Sequence, residues 1–431
     1  MSVHLFARMK RLMQFTAKIE PHELRAAMVS FTLVFVLMAA YYILRPVRDA
    51  MASDWSDAQV SVLWTFTFLF SFIAAAIHGY FVSRVQLRYL VPGIYGFFAS
   101  TFVGVYILLG SSVNVDWVNK AFYVWVSVFS LFQVSVFWSF MSDTFNKDQS
   151  TRLFGFITTG ASIGAIVGPA IPALFAENIG ISNLLLIASL VLMATIPLIF
   201  YIQHLKHVDL GNHDVHADMA MQKGLGGNPL AGYQVFFKTP FLLGIGLFIF
   251  LYAGIGSFVY FELKNLMVDF SREQRTQYWA LIDVATNTLT IISGMFITSR
   301  LASRFGLALT LALVPVCIVL GLLTVALVPL VWMVVALQIF RRAGNYGITR
   351  PAREMLFTIV DRETRFKAKQ VIDVVVYRGG DVFWGWSFTA LTALLGLGVA
   401  GVALVGAAIA TLWAAVGVFL GRHFATHDRP N

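Results

Sequence analysis

The sequence predicts an all-α membrane protein with twelve transmembrane helices in two repeated six-helix bundles. Hydrophobic residues make up 58% of the chain and charged residues 12%, and the mean hydropathy is +0.76, which is untypical of a soluble domain. Apolar runs of about 20 residues, the length that crosses the hydrocarbon of a bilayer, recur about twelve times. One long polar connection, residues 204–238, divides these runs six and six.

The predicted domains and spans follow from these runs. Residues 1–25 combine basic and apolar residues at helical spacing, which predicts an amphipathic helix on the membrane surface, with a simple positively charged tail as the alternative. The first bundle is predicted over residues 26–203, the linker over 204–238, the second bundle over 239–421 and a C-terminal tail over 422–431. The spans are predicted to start near Ala26, Gln59, Leu90, Phe122, Thr151 and Ile181, and then near Pro240, Tyr278, Gly306, Leu330, Val371 and Val399.

The positive charge of the chain indicates membrane topology. The formal net charge is +9, and Lys and Arg concentrate in alternate loops, as they do on the cytoplasmic side of membrane proteins. We therefore expect both termini in the cytoplasm, the lipid bilayer as a partner and no binding of nucleic acid. The first apolar run is too long for a signal peptide, and the absence of a targeting segment favours a bacterial inner membrane.

Internal similarity supports the two halves. The segment "DQSTR" at residues 148–152 matches "DRETR" at residues 361–365, and "SRVQLR" at residues 83–88 matches "SRLASR" at residues 299–304. Duplicated six-helix halves that bind a substrate near mid-membrane are found in secondary transporters of the major facilitator type. The predicted architecture therefore resembles the major facilitator superfamily.

Charged residues lie at the end of the first predicted span. Arg45, Arg48 and Asp49 lie in "YYILRPVRDAM", at the end of an apolar run. An ionised side chain at the bilayer centre costs at least about 2.5–3.5 kcal/mol, so it should face protein or a water-filled cavity. Arg45 and Asp49 are four residues apart and share a helical face, and Pro46 predicts a local break or kink. These residues are candidates for a substrate site, with an ion pair at the membrane interface as the alternative.

The tenth span carries arginines deeper in the membrane. Arg341 and Arg342 follow about eleven apolar residues, which at about 1.5 Å per residue places them roughly at mid-membrane. Arg342, Asn345 and Tyr346 recur at helical spacing and are predicted to line one face. Pro351 is predicted to bend the helix. The alternative is that carboxylates of neighbouring helices neutralise the arginines.

The eleventh span adds charges of both signs. Asp373, Tyr377 and Asp381 follow one another at intervals of one turn and are predicted to share a face, with Arg378 beside them. Arg378 and Asp381 are three residues apart, so a purely structural ion pair is the alternative to an arginine that contacts substrate.

Carboxylates in the predicted spans are candidates for coupling. Asp283 lies in the eighth span and Glu262 at the end of the seventh. Ionisable residues at such depth form proton relays or pair with other charges. We expect a role in coupling or in ion pairs for Asp49, Glu262, Asp283, Asp373 and Asp381, with hydrogen bonding between helices as the alternative for Asp283.

The charges within the spans favour an anionic substrate, because guanidinium groups bind phosphate and carboxylate oxygens in pairs. Aromatic side chains accompany these charges and could stack a nucleobase, with interfacial belts and helix packing as the alternative; they are Tyr41, Tyr42, Trp64, Trp138, Tyr260 and Tyr346. We expect the substrate to be a small anionic metabolite, with a nucleotide as the first candidate. The sequence is compatible with a monomeric protein. The predicted substrate-binding residues are Tyr42, Arg45, Arg48, Arg341, Arg342, Asn345, Tyr346 and Arg378.

Three segments resemble one family of transporters. They are "YYILRPVRDAM" at residues 41–51, "TRLFGFITTGASIGAIVGPA" at residues 151–170 and "YGITRPAREMLFTIVDRETRFKAKQVIDVVVYRGGD" at residues 346–381. They are similar to the first, fifth and tenth-to-eleventh segments of the ATP/ADP antiporter family, which has a major-facilitator-like fold. The family's arginine, lysine and aspartate of the first span fall on Arg45, Arg48 and Asp49, with arginine replacing lysine. The resemblance implies a divergent nucleotide transporter in which Arg48 contacts phosphate.

A secondary transporter that works by alternating access is the function these patterns favour. A proton-coupled carrier of another organic solute or drug is the alternative within transport. An integral membrane enzyme acting on a lipid-linked phosphate is the alternative from another class, but the sequence contains no HExxH, GxSxG or P-loop pattern, and we expect no enzyme activity. Cys317 is the single cysteine, which excludes a disulfide framework, and we expect no metal and no cofactor.

Overall fold

The computed structural model describes residues 19–82, 84–111, 114–211, 231–360, 364, 368–369 and 371–427, and every regular element within them is helical. Turns of 3-10 helix cover Ala52–Asp54 and Phe357–Ile359, and π-helical turns cover Asn345–Thr349 and Val371–Val376. The α-helices are α1 (Leu24–Met51), α2 (Asp57–Val82), α3 (Leu87–Leu109), α4 (Val115–Thr144), α5 (Lys147–Ile179), α6 (Ile181–Met193), α7 (Thr195–Val208), α8 (Ala231–Lys238), α9 (Pro240–Leu266), α10 (Arg272–Phe296), α11 (Thr298–Leu327), α12 (Val331–Gly344), α13 (Arg350–Leu356), α14 (Tyr377–Ala393) and α15 (Val399–His427).

Within the described residues, ten helices are long and apolar enough to cross a membrane. They correspond to ten of the predicted spans, and α6 and α7 together form the sixth as Ile181–Val208. The predicted tenth and eleventh spans are also helical, but each includes a π-helical turn that the sequence did not predict. The tenth consists of α12, the π-helical turn Asn345–Thr349 and α13, which follow one another without a break. The eleventh consists of the π-helical turn Val371–Val376 and α14, which has 17 residues.

Several helices begin earlier than the sequence predicted. Helix α4 begins at Val115 and not near Phe122, and α10 begins at Arg272 and not near Tyr278. An apolar run measures only the hydrocarbon thickness, whereas a helix continues into the interface until a residue caps its end. The side chain of Asn114, which caps α4, accepts a hydrogen bond from a backbone amide of the first turn.

Pro46 and Pro351 both lie within helical segments, where each lacks the N–H of a helical hydrogen bond. Pro46 lies inside α1, which is continuous over Leu24–Met51, so the helix does not break there, and a kink stays a prediction. Membrane helices tolerate proline where neighbouring groups satisfy the freed carbonyl. Pro351 lies in the first turn of α13, and it lacks the N–H that would bond the Gly347 carbonyl four residues earlier. The Thr298 hydroxyl donates a hydrogen bond to that carbonyl instead.

The chain divides into two compact units. The first unit comprises Met1–Asp49, Leu69–Lys223 and Arg272–Val284, and the second comprises Ala50–Phe68, Gly224–Ser271 and Ala285–Asn431. Helices α2 and α10 therefore each have one end in each unit. The predicted domain boundaries stay predictions. Residues 1–18 of the N-terminal segment, 212–230 of the linker and 428–431 of the tail lie outside the described residues, as does most of the second repeat segment at 361–365.

A row of glycines on α5 brings its backbone against α1 in the first unit. The row is spaced by four residues and consists of Gly160, Gly164 and Gly168. A Cβ atom at each position would lie within 3.0 Å of a backbone carbonyl oxygen of α1, namely those of Phe31, Phe35 and Ala39. Small residues at this spacing let membrane helices approach closely. The spacing is visible in the sequence as "GASIGAIVG" and by itself predicts such packing.

Candidate functional site

Among the residues that the structure describes, four charged side chains of α1 and α10 form a buried cluster in the first unit. Asp49 accepts hydrogen bonds from Arg48 Nε at 2.9 Å and Nη2 at 2.6 Å, and Arg45 Nε lies 3.7 Å from its other oxygen. Arg45 Nη1 also lies 3.6 Å from Asp283 Oδ1. Both aspartates are buried. Two arginines and two aspartates sum to no formal charge, so the carboxylates neutralise both guanidinium groups.

Aromatic and hydroxyl side chains surround this cluster. The guanidinium of Arg45 lies 5.8 Å from the ring centre of Tyr42, and that of Arg48 lies 5.6 Å from the ring centre of Tyr123. Arg48 Nη1 donates a hydrogen bond to the Ser127 hydroxyl at 3.2 Å. For Arg45 and Arg48 the structure thus has the ion-paired arrangement that the sequence left as an alternative. Their contact with substrate stays a prediction.

In the second unit, Arg341 is a buried arginine whose hydrogen-bond acceptor and neighbouring ring are both neutral. It lies in α12 and is 6% exposed. Its Nε and Nη2 donate hydrogen bonds to Gln338 Oε1 at 3.2 and 2.9 Å, and its guanidinium lies 5.4 Å from the ring centre of Tyr252 in α9. Within the part of the chain that the structure describes, no carboxylate lies within 4.0 Å of Arg341. Asp381 is close enough to interact with Arg341 electrostatically but forms no ion pair with it, so the guanidinium keeps N–H donors that a ligand can bind.

Tyrosines and further charged groups lie near this arginine. The rings of Tyr252 and Tyr377 are 6.3 Å apart. Arg342, Tyr346 and Asp381 are close enough to Tyr252 to interact with it electrostatically. Arg342 is buried, whereas Tyr346 is exposed. The second unit thus combines arginines with three tyrosine rings around α12.

The π-helical turns change the faces that the sequence predicted. The face assigned to Arg342, Asn345 and Tyr346 assumed α-helical spacing, but α12 ends at Gly344, and the next turn has i→i+5 hydrogen bonds that place more residues in each turn. That part of the prediction is corrected. A role of Asn345 and Tyr346 in binding stays a prediction.

Around the eleventh span, the charged residues form ion pairs. Arg378 Nη1 lies 3.9 Å from Asp381 Oδ2, as their spacing of three residues indicated. Asp373 lies in the π-helical turn and is 3.3 Å from Arg353 Nη2. The predicted common face of Asp373, Tyr377 and Asp381 assumed an α-helix through that turn, so it is corrected for the same reason as in the tenth span.

The second unit contains a buried polar cluster of its own, which links the end of α9 to the start of α2. Lys264 Nζ lies 2.8 Å from Asp57 Oδ1 and donates hydrogen bonds to the Trp55 carbonyl at 3.1 Å and to the Asn265 side chain at 2.6 Å. The Thr392 hydroxyl of α14 donates to Asp57 Oδ2 at 3.0 Å. An ammonium group has three protons, so each proton of this buried lysine has an acceptor.

Glu262 lies on α9 near this cluster and is 5% exposed. Asp57 is close enough to interact with it electrostatically. Among the residues that the structure describes, none forms a hydrogen bond or ion pair with the Glu262 carboxylate. A buried carboxylate needs a partner or a proton, so Glu262 is the residue of this region best suited to carry a proton.

Possible metal ligands occur together at the start of α1. The ligand atoms of Glu20, His22 and Glu23 lie within 4.8 Å of one another. Arg152 donates hydrogen bonds to both carboxylate oxygens of Glu23, at 2.7 and 2.8 Å. Burial raises the pKa of Glu23, but the hydrogen bonds from Arg152 and from the Glu20 backbone outweigh that effect, so the pKa lies below its ordinary value. The Glu23 carboxylate is paired with Arg152, and this ion pair explains its position without a metal ion.

The partners of the buried cations were missed in the sequence. Gln338 precedes Arg341 by three residues, and that spacing could have indicated their contact. Tyr252 and Asp57 are distant in sequence from Arg341 and Lys264, and nothing in the local pattern indicates these pairs.

The geometry fits a known family. A family model described as Major Facilitator Superfamily matches residues 30–356. The chain belongs to the major facilitator superfamily. The predicted fold class, an all-α membrane protein of the major facilitator type, is thereby confirmed, and the chain is a multi-pass integral membrane protein. A comparison with curated proteins gave no match.

Solved structures of major facilitator transporters are similar over nearly the whole chain. A bacterial homologue of the human lysosomal transporter Spinster has a TM-score of 0.62 at 13% identity, covering 96% of this chain and 99% of that one. The nucleoside transporter NupG has a TM-score of 0.62 at 14% identity, covering 96% and 100%. The xylose transporter XylE from E. coli has a TM-score of 0.60 at 12% identity, covering 94% and 96%. At these identities the likeness concerns the fold. Membership in the narrower ATP/ADP antiporter family stays a prediction.

Proposed function

We propose that this chain is a secondary transporter of a small anionic metabolite and that Arg341 is its principal anion-binding residue. The observation that carries the proposal is the setting of Arg341, which donates hydrogen bonds to an amide, lies beside an aromatic ring and forms no ion pair with Asp381, the carboxylate that interacts with it electrostatically. A buried cation is costly unless an opposite charge compensates it. A substrate anion would supply that charge, and the arginine would supply bidentate hydrogen bonds.

The arginines of the first span are less favourable anion sites. An anion that bound Arg48 would have to compete with Asp49, whose oxygen lies 2.6 Å from Arg48 Nη2. Arg45 has two carboxylates within 3.7 Å. We therefore place the first contact of the substrate at Arg341 and assign Arg45 and Arg48 a secondary role.

The tyrosines of the second unit favour a substrate with a planar aromatic part. Tyr252, Tyr346 and Tyr377 lie near Arg341, and ring faces stack nucleobases. A nucleotide or another phosphorylated metabolite is therefore the proposed substrate class, carried by alternating access across a bacterial inner membrane with both termini cytoplasmic. The similar folds include a nucleoside transporter and a xylose transporter, so the argument for substrate rests on the side chains.

Arg341→Gln is expected to reduce transport to the background of empty liposomes, because the amide removes the charge that binds the anion. The measurement is counterflow of labelled ATP, ADP, GTP, glucose 6-phosphate or succinate into liposomes that contain the purified protein and the unlabelled compound. Arg422→Gln removes an exposed arginine of α15 and should leave the rate within about twofold of wild type. Counterflow of Arg341→Gln at the wild-type rate would refute the assignment of the anion site.

Proton coupling is the second candidate, and the buried Glu262 favours it. If Glu262 carries the coupling proton, Glu262→Gln should abolish uptake driven by an imposed pH gradient while counterflow between equal pools continues. The control is Glu177→Gln, at an exposed carboxylate at the end of α5. Uptake by Glu262→Gln that still follows the pH gradient would reject Glu262 as the proton carrier, and no response of the wild type would reject proton coupling.

A further inference from the structure

Gln338 holds Arg341 by one edge of its guanidinium group. Gln338 is 3% exposed and lies one helical turn before Arg341 in α12. Its Oε1 accepts from both Nε and Nη2. A guanidinium group has five N–H donors, and two of them are used in this way. In the described chain, no acceptor bonds Nη1, so the outer edge formed by Nη1 and Nη2 keeps donors for a ligand.

The surroundings of this outer edge restrict how a ligand can bind. The ring of Tyr252 lies beside the guanidinium, 5.4 Å from its central carbon to the ring centre. On the Nη1 side, α9 presents Gly256, where an added Cβ would lie 3.0 Å from Nη1. A side chain at that position would push the guanidinium away. The Tyr252 ring lies against the guanidinium and Gly256 has no side chain that would displace it, so Arg341 keeps the orientation set by its hydrogen bonds to Gln338.

A carboxylate in the place of Gln338 would make the same two hydrogen bonds and also cancel the positive charge. Such side-on pairs between arginine and carboxylate are common and strong. The amide fixes the orientation of Arg341 and leaves its charge in place. This distinguishes Arg341 from Arg48, whose Nε and Nη2 both bond the Asp49 carboxylate.

We propose that Gln338 and Gly256 are specificity-determining positioning residues, which present the outer Nη1–Nη2 edge of Arg341 to two oxygens of a phosphate or carboxylate group. The inference rests on the proposed function, because it assumes that Arg341 binds the anionic substrate. It deepens that function by naming the chemical group, an oxyanion with two oxygens on one face, and by naming residues that do not touch it.

The test compares three substitutions in the purified full-length protein by calorimetric titration with ATP, inorganic phosphate and succinate. Gln338→Glu keeps the shape and the hydrogen bonds but cancels the charge, so affinity for each anion that the wild type binds should fall about 10- to 100-fold. The melting temperature should not fall, because the new carboxylate pairs with Arg341. Gln338→Met keeps the charge and loses the orientation, and Gly256→Ala displaces Nη1, so each should weaken affinity by about tenfold.

Matched controls separate the inference from general damage and from the proposed function. Gln203→Glu adds the same charge in α7, and Gly104→Ala adds a methyl where nothing lies within 4 Å; both should bind as wild type. If Arg341→Gln loses binding but Gln338→Glu and Gly256→Ala bind as wild type, the inference is overturned and the proposed function stands. If the wild type binds none of the three anions, both are overturned. Tight binding of phosphate and ATP but not of succinate would identify the group as phosphate, and the reverse would identify it as carboxylate.

Discussion

Replacing Gly164 by leucine is expected to lower the free energy of unfolding by about 3 kcal/mol and to leave little folded protein in the membrane. A Cβ at Gly164 would meet the Phe35 carbonyl and the Met38 side chain of α1. Backbone atoms cannot move aside as a flexible side chain can, so the leucine must separate α5 from α1. Separation removes the close packing that the row of glycines allows along both helices.

The measurement is the melting temperature of the purified protein together with the fraction that elutes as a single species in detergent. Gly155→Leu is the matched control, because it lies on the same helix and a Cβ there would meet nothing within 4 Å. That variant should melt as wild type. A Gly164→Leu protein with wild-type melting would show that α1 and α5 do not need this contact.

Lys264→Met is expected to destabilise the protein by about 3–5 kcal/mol, the cost of removing one partner from a buried ion pair. The substitution leaves the Asp57 carboxylate without its cation, and it leaves the carbonyl of Trp55 and the amide oxygen of Asn265 without the donor they have at 3.1 and 2.6 Å. Lys264 is 1% exposed, so water cannot replace its ammonium group without local opening.

A double-mutant cycle on thermal or denaturant unfolding measures this prediction. Asp57→Leu alone should destabilise the protein to a similar extent, because Lys264 is then buried without its carboxylate. The combination of Asp57→Leu with Lys264→Met should recover most of the loss, since two apolar side chains of similar size avoid the burial of an unpaired charge. Losses that simply add would mean that the two residues do not act as a pair.

The limits of sequence reasoning are clear from the charged residues. Arg45 and Asp49 are four apart in one helix, and the contact between them could be predicted from helical geometry. The pairing of Arg45 with Asp283, 238 positions later, depends on how α10 packs on α1, and one sequence contains no information on that. The same holds for Lys264 with Asp57 and for Arg341 with Tyr252.

The helices themselves were predicted better than their interruptions. Apolar length identifies a span because the bilayer thickness is fixed. A π-helical turn depends on a few hydrogen bonds, such as the one that Thr298 donates to the Gly347 carbonyl. Such a bond depends on a neighbouring helix. In "NYGIT" at residues 345–349, no change in the pattern of apolar residues indicates where the π-helical turn begins.

The neutral cluster of the first unit has an electrical consequence. A membrane potential of 100 mV changes the energy of one elementary charge by about 2.3 kcal/mol across the bilayer. The net formal charge of the cluster is zero, because Arg45 and Arg48 are balanced by Asp49 and Asp283. Moving these four residues together therefore requires no work against that field. If Arg341 binds the substrate as proposed, its charge responds to the field until an anion binds. A monovalent anion would cancel that charge, whereas a nucleotide carries several negative charges and would leave the occupied site negative, so voltage would act on the loaded step as well.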